Sequence, residues 1–487
     1  MWRTSFLMIA LATSLFLAAC GGSTNYSSST SPMGNNVPMT PMILTIGDTP
    51  PSGIAVLFLE AVITKATLQP SDPKQMPVTV MSTPVEVEFG HLQTDRAFLS
   101  LAGVQPGTYN SMTLEFGNVT LTIENHSMAP FGTCQDNTAC ELTPTLNSPT
   151  FTLSSAPFPI TITKNSVVGL KMDLDVNASV LSGAMINPTV TIQSLIQRDE
   201  SEGSKEMDEV DEVDGQVSAA PMGNSFTLMN EQSGQSFNIS VDTNTVFQDF
   251  DRAGCTVSPA DLTCVKAGQI LDVDLSANGM GMMLAKRVEF EEDANREAIK
   301  GIITSVESAS QFHVVVFNEE PAAGISEGSP VVVTVQTGAM FQVAQEEMGE
   351  DGGFSSSSFS FKSGTDLLVG QNVQIRPGTV STSMGVTTVT TDLVRLWPSQ
   401  ITGSVGNVDT STGTFTLTGL SPLFTGAMPA VMQITVDTLT GMIMMDGDSS
   451  SSGLPAINSM VSVKGLLFNT SGMPTLVTRM MRQHQGD

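Results

Sequence analysis

Ile239-Ser-Val241-Asp-Thr-Asn-Thr-Val-Phe247 recurs as Val333-Thr-Val335-Gln-Thr-Gly-Ala-Met-Phe341 and again as Ile434-Thr-Val436-Asp-Thr-Leu-Thr-Gly-Met442. In each copy two apolar residues two apart place one face of a strand inward. Phe247, Phe341 and Met442 each stand six positions after the inner Val. Each run lies inside a longer repeat. The first opens Gly215-Gln-Val217, passes through Phe226-Thr-Leu228 and closes with Ala285-Lys-Arg-Val288. The second opens Gly301-Ile-Ile303 and closes Leu393-Val394-Arg395, and the third opens Gly403-Ser-Val405 and closes Leu476-Val477-Thr-Arg479. An opening Gly permits a tight bend or bulge where a strand curls. Five or six short strands per unit satisfy a small closed or partly open barrel of OB type, in which five strands bury one face and remove most edges. A short sandwich fits nearly as well. The expected units are 213–295, 299–397 and 400–482.

Upstream, short β-branched runs such as Ile54–Val62, Val85–Phe89, Ser111–Phe116, Val119–Ile123 and Val167–Val176 alternate with turn residues including Pro50-Pro51 and Pro106-Gly107. That spacing predicts a β-sandwich over 43–197. The fold class is therefore all-β: an N-terminal β-sandwich followed by three tandem small OB-like barrels. The charged stretch Arg198–Asp214 has no sustained apolar face, and 198–212 reads as an acidic linker. Asp208, Asp211, Asp214 and Gly215 at its end suggest calcium, but an EF-hand needs oxygen ligands at alternate positions and a distal Glu. Residues 20–42, rich in Ser, Thr, Asn and Pro, read as a flexible tether.

The first twenty residues read as an export signal. Arg3 precedes an apolar run from Phe6 to Phe16, too short for a bilayer span of ~20 residues. Leu17-Ala18-Ala19-Cys20 resembles the bacterial lipobox, which implies removal of 1–19 and lipidation of Cys20. Multiple acylation gives lasting attachment where a lone chain binds only marginally. By analogy with Gram-negative lipoprotein sorting, Gly21 in place of Asp favours the outer membrane.

The 487 residues carry 20 Lys+Arg against 48 Asp+Glu, a formal charge of -28. Phosphate backbones are repelled, so nucleic acid is not an expected partner. The four histidines, His91, His126, His313 and His484, are scattered, which disfavours an imidazole site. No G-x-S-x-G elbow occurs. Apart from Cys20 the cysteines form local couples, Cys134 with Cys140 and Cys255 with Cys264. In an exported chain these read as two disulfides, each closing a small loop for about 2 kcal/mol. A four-cysteine zinc site would need distant segments and a reducing compartment.

Asp173 and Asp175 share a strand face, where two carboxylates can hold a cation or do acid–base work, although alternation alone explains them. Tyr109, after a Pro-Gly turn, suits a strand corner or a carbohydrate contact. The 29 methionines cluster at Met280, Met282 and Met283, at Met442, Met444 and Met445, and at Met480 and Met481. Thioethers bind copper(I), but they also fill irregular cores.

Two resemblances cover most of the mature chain. Ala61–Pro70, Leu101–Tyr109 with Met112-Thr-Leu114, and Leu170–Val180 make the N-terminal part similar to domain of unknown function 4382, frequent in bacterial lipoproteins. The three repeats resemble domain of unknown function 5666, with its pattern G-x-V, F-x-V, V-x-V-x-x-x-T and L-x-x-G-x-x-V; the third has Asn458 where the second has Gly370. These motifs are turns and core positions, so they imply architecture and an exported setting without an activity or a cofactor. The expectation is a non-enzymatic envelope lipoprotein with a binding or structural role and an envelope protein or glycan as partner. The alternative is an extracytoplasmic ligand or cation carrier, for calcium or copper.

Overall fold

A computed structural model of the chain describes residues 39–49, 55–93, 97–126, 129–164, 167–181, 185–197, 209–230, 236–277, 283–293, 298–320, 324–344, 359–438, 444–445, 454–470 and 472–483. The lipobox, Cys20 and the tether up to residue 38 lie outside these. So do Asp208, Met280, Met282, Met442 and His484. No helix among the described residues is long and apolar enough to cross a membrane.

The N-terminal part is two facing sheets. One orders the strands Val190–Gln197, Val167–Asp175, Thr40–Thr49 and Ala97–Val104. The other is built on Ala55–Pro70 and Gly107–Asn125, paired antiparallel along most of their length. Two runs that the sequence separates, Ser111–Phe116 and Val119–Ile123, are one strand, because a register shift opposite Ala61–Ile63 takes up the Gly117-Asn118 interruption. Met42, Leu44 and Ile46 face Leu59, Ile63, Leu114 and Leu121 across the core. Ile43 points the other way, into the core of the first barrel, so the strand is covered on both faces around Met42–Ile46. That explains the unbroken apolar run Met42-Ile43-Leu44.

Each repeat is a closed five-stranded barrel. In the second, Ala298–Ser308, Gln311–Glu320, Pro330–Val343, Asn372–Ser383 and Val386–Trp397 close in the order one, two, three, five, four, with four returning to one. The third and fifth strands are parallel. The first and third barrels close in the same order, through the parallel pairs Ile239 with Met283 and Val436 with Leu476. This is the connectivity of an OB-type barrel.

The six-residue spacing in the sequence has a structural cause. In the first barrel the third strand advances from Ser240 to Val246 while its parallel partner advances only from Leu284 to Arg287. The second barrel does the same, from Val335 to Met340 against Thr391 to Leu393. The third strand loops out and then rejoins the fifth, setting Phe247 opposite Val288 and Phe341 opposite Val394.

The expected linker 198–212 is shorter than the sequence suggests. The first strand of the first barrel runs Glu209–Met222, so residues 209–212 are strand, and 198–208 lie outside the described residues. A register shift between Val210 and Val213 reconciles the three-residue spacing of the valines with strand pairing against Leu275 and Val273.

Candidate functional site

Chemistry-bearing side chains gather along the seams where the sandwich meets the barrels. Phe98 of the sandwich meets Phe237 of the first barrel edge-on at 5.1 Å. Ala55, Leu57 and Phe58 pack with Val315 of the second barrel and Leu423 of the third. Thr122 Oγ1 donates to the Gly328 carbonyl of the second barrel at 2.6 Å. Gln400 donates to the His91 carbonyl at 2.6 Å, and Thr402 to Gln93 Oε1 at 2.7 Å, tying the third barrel to the turn at 90–93.

Beside these contacts stands a carboxylate group. Glu60 and Glu88 are paired on adjacent antiparallel strands with Glu86 two residues along, and Glu327 approaches from the second barrel. Glu88 is fully engaged: Oε1 accepts from Leu59 N and Gly90 N, and Oε2 lies 2.6 Å from His91 Nδ1. The His91 ring packs against Phe317 of the second barrel, centroids 3.9 Å apart. Burial, then the neighbouring Glu86, its hydrogen bond to Glu60, and the charges of Glu327 and Glu88 push the Glu60 carboxyl up to about 8. A second group lies nearer the third barrel. Burial raises Glu124 to about 7 against the opposing pull of His126, whose Nε2 is 3.4 Å from Glu124 Oε1. The His126 ring lies against Gly426, where an added Cβ would fall 2.5 Å from it.

These seams can hold protons up to neutral pH. A carboxyl raised in the folded state stabilises the fold below its unfolded value near 4.5, and that contribution is lost as pH rises through the folded value. The urea midpoint is therefore expected to fall between about pH 5 and pH 9. Glu60→Gln should flatten that decline, and a variant as pH-sensitive as the parent would remove Glu60 as its source.

The residues singled out in the sequence have structural duties. Asp173 is ion-paired with Arg482 of the third barrel, their side chains only 14% and 12% exposed. Asp175 accepts from Ala178 N at 2.8 Å and caps a short helix, Val176–Ser179. The two carboxylates thus serve different partners. Asp173→Ala leaves a mostly buried guanidinium without its carboxylate and is expected to cost about 3 kcal/mol. A double-mutant cycle with Arg482→Ala measures it, and a coupling near zero would show the pair to be unimportant.

Tyr109 is buried and donates to the Gln105 carbonyl at 2.8 Å, the geometry of a strand corner. Cys134–Cys140 and Cys255–Cys264 are disulfides. Met283 and Met481 fill the cores of the first and third barrels. Among the described residues no group of three or more His, Cys, Asp or Glu is arranged to hold a metal. Sequence reading missed that each described histidine lies beside a glutamate, His91 with Glu88, His126 with Glu124 and His313 with Glu307. Spacings of three, two and six residues on differently shaped turns carry no common signal.

The model of a domain of unknown function, DUF5666, matches residues 214–289, which is the first barrel. No curated protein matches the chain. Among solved structures, a multidomain protein with nucleic acid binding domains from Streptococcus pneumoniae is 8% identical, with 55% of this chain and 72% of that chain covered at a TM-score of 0.11. A likeness that slight says nothing about what this chain binds.

Proposed function

We propose that the chain is a non-enzymatic cell-envelope lipoprotein, held at the outer membrane through lipid on Cys20, whose packed modules bind an uncharged, hydroxyl-rich envelope polymer such as a glycan. The reading of the N-terminal part as a domain of unknown function 4382 belongs to the same proposal. The observation that carries it is the hydroxyl pairing on the exposed sheet faces. Thr113 and Thr152 pair at 3.0 Å on the sandwich, and Thr382 and Thr387 at 3.1 Å on the second barrel. At the turn before Thr414 of the third barrel the Thr412 and Thr414 hydroxyls lie 2.8 Å apart, and on the first barrel Ser218 Oγ donates to the backbone carbonyl of Thr227. The cross-strand hydroxyl pairs stabilise the sandwich sheet and the second barrel and present neutral polar surface suited to polyhydroxylated ligands. The net charge of -28 argues in the same direction, away from anionic polymers.

The test is co-sedimentation of the protein with purified envelope polysaccharide and with peptidoglycan, at low and high salt. Salt-insensitive retention is expected, since the contacts are uncharged. Absence of retention on every polymer, or retention abolished by salt, overturns the glycan assignment.

A further inference from the structure

Ten of the fourteen exposed large apolar side chains among the described residues are methionines, and the other four are valine or isoleucine. Leucine and phenylalanine, equally apolar, contribute none. A surface built to dock an apolar partner or enter a bilayer would draw on all of these types. A preference for the thioether selects the chemistry of sulfur instead.

The four most exposed examples are Met384 at 101%, Met428 at 97%, Met76 at 82% and Met222 at 81%. Met384 is the most telling. It sits with Gly385 in the two-residue turn between the fourth and fifth strands of the second barrel, and both residues have positive φ, 51° and 80°. Such turns favour Asn-Gly, because a side chain in the left-handed region is strained unless it is short and polar. The other non-glycine residues with positive φ among those described are Asn137, Asp249 and Asn458, types that tolerate it. Methionine at position 384 thus departs from both local preference and burial, and departures of that kind mark function. Its full exposure leaves no second thioether packed against it among the described residues.

We propose that the exposed methionines are modification sites for two-electron oxidants of the hypohalous acid class, so that the chain takes up oxidising equivalents at its turns while its cores stay intact. The thioether sulfur attacks the halogen of HOCl and expels hydroxide. Water then displaces chloride from the chlorosulfonium. The net change converts thioether and HOCl to sulfoxide, chloride and a proton, with sulfur oxidised by two electrons and chlorine reduced by two. Four of the five cysteines are locked in disulfides and do not compete as thiols. A second pool, including Met42, Met112, Met172 and Met481, is buried at 0% exposure and shielded by the cores. A sulfoxide at a turn tip meets only water, whereas one in a core would bring an unpaired polar oxygen inside.

The test is a titration of the purified chain with hypochlorous acid, read by peptide mass mapping at each methionine and by the urea midpoint. Met76, Met222, Met384 and Met428 are expected to convert at least about tenfold faster than the buried four, with the midpoint unchanged until they are consumed. A parallel variant with all four replaced by Leu should lose the corresponding fast uptake of oxidant while keeping the parental midpoint. Conversion of both pools at comparable rates, a fall in the midpoint with the first conversions, or an undiminished fast phase in the Leu variant overturns the proposal.

Discussion

Gly301→Ala is expected to destabilise the second barrel by about 3 kcal/mol, at the upper end of what overpacking costs. The added Cβ would fall 2.8 Å from the Val315 carbonyl oxygen and 3.3 Å from Val314 Cβ. Neither atom can yield cheaply, since Val314 and Val315 belong to a strand paired on both sides. The first strand shifts register at Lys300–Gly301, so the glycine marks the point where it curls from its second-strand partner toward the fourth. Gly215 and Gly403 occupy the same place in the other barrels, with a Cβ 2.6 Å from the Met229 carbonyl and 2.8 Å from the Thr418 carbonyl. Alanine at either should act alike on its own barrel. Gly364→Ala should be more severe, its Cβ falling 1.7 Å from the Ala309 carbonyl. Gly107→Ala, which meets nothing closer than 3.9 Å, is the control. Urea unfolding combined with hydrogen exchange over residues 298–308 reads the effect. An unchanged midpoint for Gly301→Ala would mean that the strand crossing is not a tight approach.

Those glycines show why so much of the fold is legible in the chain alone. A closed five-stranded barrel imposes the same close crossing and the same looped third strand on every copy. Repetition therefore turns Gly215, Gly301 and Gly403, and the six-residue step to Phe247 and Phe341, into a visible pattern. The disulfides are legible for a related reason, being local, with separations of six and nine residues. The seams are not. Asp173 is satisfied by Arg482, three hundred and nine residues away, and no local pattern distinguishes it from a solvent-facing carboxylate. Glu60 and Glu86 look like ordinary outward residues of alternating strands until a third glutamate, Glu327, arrives from another module. The acidic run before the first barrel misleads in the opposite sense. Its valines three apart hide a strand because a bulge absorbs the extra residue between them.

Cys20→Ala is expected to move the protein from the membrane fraction to the soluble fraction almost completely, and to abolish incorporation of labelled lipid. In the proposed reading Cys20 is the attachment point, and with Cys134, Cys140, Cys255 and Cys264 paired among themselves it has no disulfide partner within the chain. Each buried methylene of an acyl chain contributes ~0.8 kcal/mol, so removal of the whole anchor outweighs any surface interaction that a strongly acidic chain could make with an anionic membrane. The substitution should leave the urea midpoint of the barrels unchanged, because no residue of their cores precedes Ile43. Envelope fractionation checks localisation, and protease shaving of intact cells then reports which side of the membrane the modules face. If Cys20→Ala stays with the membrane and still binds envelope polymer, the polymer rather than the lipid holds the protein there. If it becomes soluble yet still co-sediments with that polymer, anchoring and binding are separate functions of one chain.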